Sequence, residues 1–102
     1  MLSPTDDFPI HQTCEPIRHP VTSDLNYYDR YWFGGFARSG DCMFEIAHGI
    51  YPNRQVADAA LSIVRRDGVQ HSVLASRRAP VDRTDTKVGP LRVEVSVPMK
   101  TI

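Results

Sequence analysis

The chain has 102 residues, of which 41% are hydrophobic, and its 12 basic and 12 acidic side chains cancel to a formal net charge of zero. This length suits one small domain, and the apolar fraction is too high for a disordered chain. Because positive charge is not in excess, the composition predicts neither nucleic acid nor an anionic membrane surface as a partner. No stretch approaches the roughly 20 consecutive apolar residues of a membrane span.

The N-terminal ten residues carry Asp6 and Asp7 and lack the apolar run of a secretory signal. The two cysteines, Cys14 and Cys42, are too sparse for a disulfide framework, and their spacing fits no metal or redox motif. A pair of reduced thiols is typical of cytosolic proteins. We therefore expect a cytoplasmic protein.

Residues 1–24 are predicted to form an irregular leader, because they contain four of the eight prolines of the chain. Proline has no backbone N–H to donate to a ladder or to a helix interior. Residues 25–102 are predicted to form an antiparallel β-sheet. It begins in residues 27–36, where aromatic side chains are dense enough to favour a strand.

A second strand is predicted over residues 42–51, where the sequence alternates. Phe44, Ile46, His48 and Ile50 fall on one face of this strand, and the residues between them fall on the other. The turn Ser39-Gly40-Asp41 separates the two strands, so we expect them to form a hairpin.

Residues 55–66 fit two patterns. Their apolar residues match the helical spacing i, i+3, i+4, but they also alternate as in a strand. Directly after them, Asp67-Gly68 can form a tight primed turn, and an alternating segment follows from Val69. Gly68 would instead cap a helix if residues 55–66 were helical. The turn favours a β-hairpin.

Residues 88–97 alternate most clearly, with Leu91, Val93, Val95 and Val97 on one face, and they are predicted to form a strand that is buried on one side. The fold class is thus all-β, an antiparallel meander of about five strands. A small closed barrel takes roughly eight strands. We therefore expect an incomplete sheet with two open edges, which a second copy, a partner or further chain would complete.

Candidate functional residues come from the predicted strands. His48 and His71 are either imidazoles inside a cavity or ordinary histidines on a sheet face. The sequence offers no third ligand beside them, so it does not predict a metal site. Glu45 and Asp58 would act as general acids if an apolar pocket held them, and otherwise lie on a solvated face. Tyr31 and Trp32 either line a ligand pocket or belong to the core.

Motifs for cofactor binding are absent from the sequence. It contains no glycine-rich phosphate loop, no GxSxG elbow and no HExxH helix, so we predict neither a cofactor nor a metal.

Five short stretches resemble one known group of proteins. They are YYDRYWFGGF at residues 27–36, GIYPNR at 49–54, DGVQHS at 67–72, ASRRAP at 75–80 and VGPLRVE at 88–94. Their order is similar to the N-terminal part of bacterial proteins related to carotenoid hydratases, the hydroxyneurosporene-synthase-like group. The resemblance implies lipocalin-like β-barrels around an apolar cavity. It also implies a longer protein, of which this chain would be the first strands.

Three hypotheses for function follow. The chain is a binding module for a small apolar molecule such as an isoprenoid or lipid, lined by Tyr31, Trp32, Phe44, His48 and His71. Alternatively, it is part of a hydratase-like lyase in which Glu45 or Asp58 donates a proton to an isoprenoid double bond, although the resemblance assigns neither residue that role. The third hypothesis is a truncated product without activity of its own.

Overall fold

The computed structural model describes residues 3–9 and 20–102, and its regular structure is mostly β. Predictions that concern Cys14 and the rest of residues 10–19 lie outside the described part of the chain. Neither of the two short 3-10 helices that the structure describes has the length or apolarity to cross a membrane. In chain order the elements are a 3-10 helix Pro4–Asp7, β1 Asp29–Phe36, β2 Cys42–Tyr51, a 3-10 helix Pro52–Arg54, β3 Val56–Arg65, β4 Gln70–Arg78, β5 Lys87–Val88 and β6 Leu91–Arg92.

Strands β1 to β4 form one antiparallel meander in which each strand pairs with the next. The all-β antiparallel prediction is confirmed. Among the described residues β1 and β4 do not pair with each other, so the sheet stays open and has two edges. This agrees with the expectation of an unclosed sheet.

The pairing register assigns every strand residue to one of two faces, because residues directly opposite each other in neighbouring strands project to the same side. The predicted alternation of β2 is confirmed. One face, here called the core face, carries Phe44, Ile46, His48 and Ile50 of β2 together with Tyr31, Phe33, Ala57, Ala59, Leu61, Ile63, His71, Val73 and Ala75. The opposite face, here called the cleft face, carries Arg30, Trp32, Glu45, Ala47, Gly49, Tyr51, Asp58, Ala60, Leu74 and Ser76.

Within residues 55–66, Val56–Arg65 form a strand, which confirms the hairpin and rejects the helix. β3 pairs with β2 over Val56–Arg65 and with β4 over nearly the same length, which a helix could not do. The turn type differs from the prediction. Gly68 has φ +80°, its N–H donates to the Arg65 carbonyl at 2.9 Å, and Asp67 is not left-handed. A type I turn followed by a left-handed glycine replaces the primed turn.

The predicted strand over residues 88–97 is wrong. The chain instead turns at Gly89, whose φ is +57°, and forms a small hairpin from β5 and β6. Val88 and Val93 are buried, and the Thr86 hydroxyl donates a hydrogen bond to the Val93 carbonyl. On the predicted face, Val93 is buried and Leu91 and Val95 are half-buried, but Val97 is 46% exposed. Alternation therefore predicted burial only in part, and it did not supply a ladder partner. The meander has four strands, with this hairpin beside it.

The core lies at one end of the core face, where the β5–β6 hairpin contacts β3 and β4. Its central cluster is Ala57, Ala59 and Val88, with Ala75, Ala79 and Leu91 packed against it. Alanine side chains are short, so the hairpin backbone approaches the sheet closely. A Cβ atom on Gly89 would lie 2.9 Å from the Ala75 Cβ atom.

The segment before β1 is fastened to the sheet by hydrogen bonds. The Asn53 side-chain amide donates to the carbonyls of Thr22 and Asp24, at 2.8 and 2.9 Å. Arg54 donates to the Leu25 carbonyl at 2.9 Å. Further towards the N-terminus, the Tyr31 hydroxyl donates to the Asp7 carbonyl. Side chains of the sheet and of the 3-10 helix before β3 thus hold the described parts of this segment, within residues 3–9 and 20–28, in place.

Replacing Gly89 and Gly68 with alanine separates backbone strain from crowding. Both residues have positive φ, but only Gly89 faces a neighbour, since a Cβ atom on Gly68 meets nothing within 4 Å. We expect Gly68→Ala to lower the free energy of unfolding by about 1 kcal/mol. Gly89→Ala should cost about 3 kcal/mol because overpacking is added to the strain. Urea unfolding measures both losses.

The double variant Gly89→Ala with Ala75→Gly provides the control. It removes the crowding Cβ atom, so it should recover part of the stability that Gly89→Ala alone loses. Equal losses in Gly68→Ala and Gly89→Ala would contradict the packing described for this hairpin.

Candidate functional site

The sheet separates the seven residues that the sequence singled out. Tyr31, Phe44, His48 and His71 lie on the core face, whereas Trp32, Glu45 and Asp58 lie on the cleft face. A single cavity on one side of the sheet cannot be lined by all of them. Of the four on the core face, only Tyr31 and His48 come together, with ring centroids 5.9 Å apart.

His48 is buried, with 3% of its surface exposed, and lies between Ile46 and Ile50 along β2. Neither ring nitrogen has a hydrogen-bond partner among the described residues. Burial lowers the pKa of His48 below its usual 6.5, and the negative charges of Asp58 and Asp85 offset this only in part. The imidazole is therefore neutral at neutral pH and packs as a core side chain.

Tyr31 has a structural contact of its own. Its hydroxyl donates to the Asp7 carbonyl, and burial, followed by the charges of Asp7 and Asp29, raises its pKa well above 10. Tyr31 therefore stays a neutral hydrogen-bond donor that ties the N-terminal segment to β1. His71 is exposed and lies opposite Ile63, at the far end of the sheet from His48.

Within the described part of the chain, no element covers the half of the core face away from the β5–β6 hairpin. Four of its apolar side chains remain between 37% and 41% exposed, and two more are half-buried among them. This exposed apolar surface consists of Phe33, Phe44, Ile46, Leu61, Ile63 and Val73. Phe44, predicted to bind a ligand, belongs to it.

The cleft face contains an open cavity of about 490 Å³ above the middle strands. Its floor is formed by small residues, Ala47, Gly49 and Ala60, and Arg30 and Leu74 stand on opposite sides. Asp58 projects across this floor. A Cβ atom on Gly49 would lie 2.7 Å from Asp58 Oδ1, so the carboxylate occupies the space that a side chain at position 49 would take.

Tyr51 and Asp58 form a pair of neighbouring side chains at the edge of this cleft, since both lie against Gly49. The pKa of Tyr51 is raised first by burial and then by the negative charge of Asp58. Glu45 is exposed and does not line the cleft.

Arg30 is held between two aromatic rings on the cleft face. Its guanidinium carbon lies 5.2 Å from the centroid of the Tyr28 ring and 4.8 Å from that of Trp32. The Tyr28 ring also contacts Tyr51, at 5.5 Å between centroids. The contacts run without interruption from Trp32 through Arg30 and Tyr28 to the Tyr51–Asp58 pair.

The sequence interpretation missed Arg30, Tyr28 and Tyr51 as members of a site. The available signal was the two-residue spacing of side chains on one face of a strand. Tyr28, Arg30 and Trp32 have this spacing, so they share a face. Within the described residues, no group of three or more His, Cys, Asp or Glu is placed to hold a metal ion.

Comparison with known proteins identifies the family. A family model matches residues 2–102, described as a family of unknown function (DUF8625). The chain belongs to this family. No curated protein and no solved structure matches it.

The burial of His48 predicts a specific loss of stability in acid. Its folded-state pKa is lower than the 6.5 of the unfolded chain, so below about pH 6.5 the unfolded state binds more protons. Its contribution to stability is complete above that pH and is lost as pH falls towards the folded-state pKa. We expect wild type to lose more unfolding free energy between about pH 7.5 and about pH 5.5 than His48→Leu does.

Urea unfolding at the two pH values tests this expectation. His71→Gln is the matched control, because that histidine is exposed, and it should keep the wild-type pH dependence. The assignment fails if His48→Leu loses as much stability in acid as wild type.

Proposed function

We propose that this chain is a lipocalin-like wall that binds a small apolar molecule, such as an isoprenoid or another lipid. The observation that carries the proposal is the exposed apolar surface on the core face, where Phe33, Phe44, Ile63 and Val73 remain more than a third exposed. A contiguous apolar patch on a small protein is typical of a binding surface.

The chemistry of this surface suits an apolar ligand. It combines two aromatic rings with branched aliphatic side chains, and the register places no charged residue of β1 to β4 among them. Each 100 Å² of apolar surface removed from water contributes about 2.5 kcal/mol before the costs of association. His71, opposite Ile63, supplies a polar group at the rim that can orient a ligand hydroxyl or carbonyl.

The resemblance to the carotenoid hydratase group also supports an apolar ligand, since the cavities of that group accommodate isoprenoids. A hydratase-like reaction receives less support from the geometry. Both predicted proton donors, Glu45 and Asp58, lie on the cleft face, behind the sheet from the exposed apolar surface. A ligand on the core face would meet neither carboxyl group, so we propose binding and not catalysis.

Binding of the apolar fluorophore N-phenylnaphthylamine tests the proposal. We expect Ile63→Asn to weaken binding about tenfold, which corresponds to about 1.4 kcal/mol. Val56→Asn is the matched control, because Val56 lies on the same strand and is equally exposed, at 37%, but faces the other side. It should leave the affinity unchanged. Mass spectrometry of lipids extracted from the purified protein would then identify the ligand class.

A different occupant of the surface would give a different result. If a second copy covers it, light scattering should show a dimer that Ile63→Asn converts to a monomer, and wild type should not bind the fluorophore. That outcome, or equal weakening by Ile63→Asn and Val56→Asn, would exclude a small-molecule site here.

A further inference from the structure

The cleft on the opposite face has the form of a separate small-molecule site. It lies between the side chains of β1 and β4, which are three strand spacings apart, about 14 Å. The residues between them are small, so a trough of about 490 Å³ opens over Ala47, Gly49 and Ala60. Volumes of this size are typical of sites that bind single small molecules.

One wall of the trough carries a positive charge that is held in place. The guanidinium of Arg30 lies between the rings of Tyr28 and Trp32, so its N–H groups remain available at the edge of the plane. Within the described residues, no carboxylate forms an ion pair with Arg30. A planar guanidinium of this kind binds a carboxylate through two parallel hydrogen bonds.

The floor of the trough carries a carboxylate. Asp58 lies in the same cross-strand row as Arg30, with Gly49 between them. The Gly49 position leaves room for Asp58 Oδ1, and the Tyr51 hydroxyl lies beside the same glycine. A carboxylate has about four lone-pair sites, so Asp58 can accept a hydrogen bond from a ligand donor.

The next row along the strands is apolar. It consists of Trp32, Ala47, Ala60 and Leu74, and the Leu74 side chain is 77% exposed. Rows on one face are about 7 Å apart, because each strand residue rises about 3.4 Å. The trough therefore offers two opposite charges in one row and an apolar surface in the adjacent row.

We infer that this cleft binds a small zwitterion with an apolar body, of the α-amino acid type. The ligand carboxylate pairs with Arg30, the ammonium group is accepted by Asp58, and the apolar side chain covers Ala47 and Ala60 beside Leu74. This site goes beyond the proposed function, because it lies on the other face of the sheet and takes a charged ligand.

Fluorescence of Trp32 provides the assay, since it is the single tryptophan of the chain and its ring contacts Arg30. L-Phenylalanine should change the emission in a saturable way, with a dissociation constant on the order of 1 mM. Phenethylamine lacks the carboxylate and phenylpropionate lacks the ammonium group, so each should bind at least about tenfold more weakly.

Single substitutions then test which protein side chain binds each charged group of the ligand. Arg30→Gln should abolish the preference for L-phenylalanine over phenethylamine, and Asp58→Asn should abolish the preference over phenylpropionate. Calorimetry serves as the readout for Arg30→Gln, because that change also removes a group that contacts Trp32. Arg92→Gln is the control, since Arg92 lies on β6, outside the cleft, and it should bind all three compounds as wild type does.

Three results would overturn the inference. They are no saturable response of wild type to L-phenylalanine, equal affinity for the three compounds, and equal loss of all three in both charge variants. N-phenylnaphthylamine binding should be unchanged in Arg30→Gln and Asp58→Asn, and L-phenylalanine binding should be unchanged in Ile63→Asn. Failure of one site is therefore distinguishable from failure of the other.

Discussion

The register of β3 is the constraint on which the rest of the structure depends. This strand pairs on both sides, with β2 and with β4, and it fixes which residues share a face across the whole sheet. A slip of one residue would move Asp58 to the core and Ala57 to the cleft. The loop at Gly68 fixes one end, and an Arg66 side chain that contacts Asp41 and the Ser39 carbonyl joins the two hairpin loops there.

The two surfaces follow from how little of the core face is covered. Ala57 and Ala59 are small enough for the β5–β6 hairpin to pack closely, but this hairpin has only two residues in each strand. It buries one end of the face and leaves the other end, around Phe44 and Ile63, in contact with water. On the cleft face, the residues of the two central strands are also small, namely Ala47, Gly49 and Ala60, and their short side chains leave a trough above them.

Local patterns predicted what depends on neighbours in sequence. The alternation of residues 42–51 and the turn at Gly68 were sufficient for the hairpins. Residues 88–97 were not predicted correctly, because alternation reports burial only in part and cannot supply a ladder partner. The crowding of aromatic residues in the sequence was not sufficient to predict which of them share a site. Tyr31 and Trp32 are adjacent in a strand, so their side chains lie on opposite faces of the sheet, and the cleft combines rows from four strands that only the register brings together.

Asp58 shows why binding and proton donation make opposite demands on one carboxyl group. A general acid needs an apolar pocket that keeps its carboxyl group protonated, whereas Asp58 lies in an open cleft, in the same cross-strand row as the guanidinium of Arg30. A carboxyl group in such polar surroundings does not suit protonation of an isoprenoid double bond. The exposed apolar surface lies behind it on the other face of the sheet, so the two faces present different chemistry.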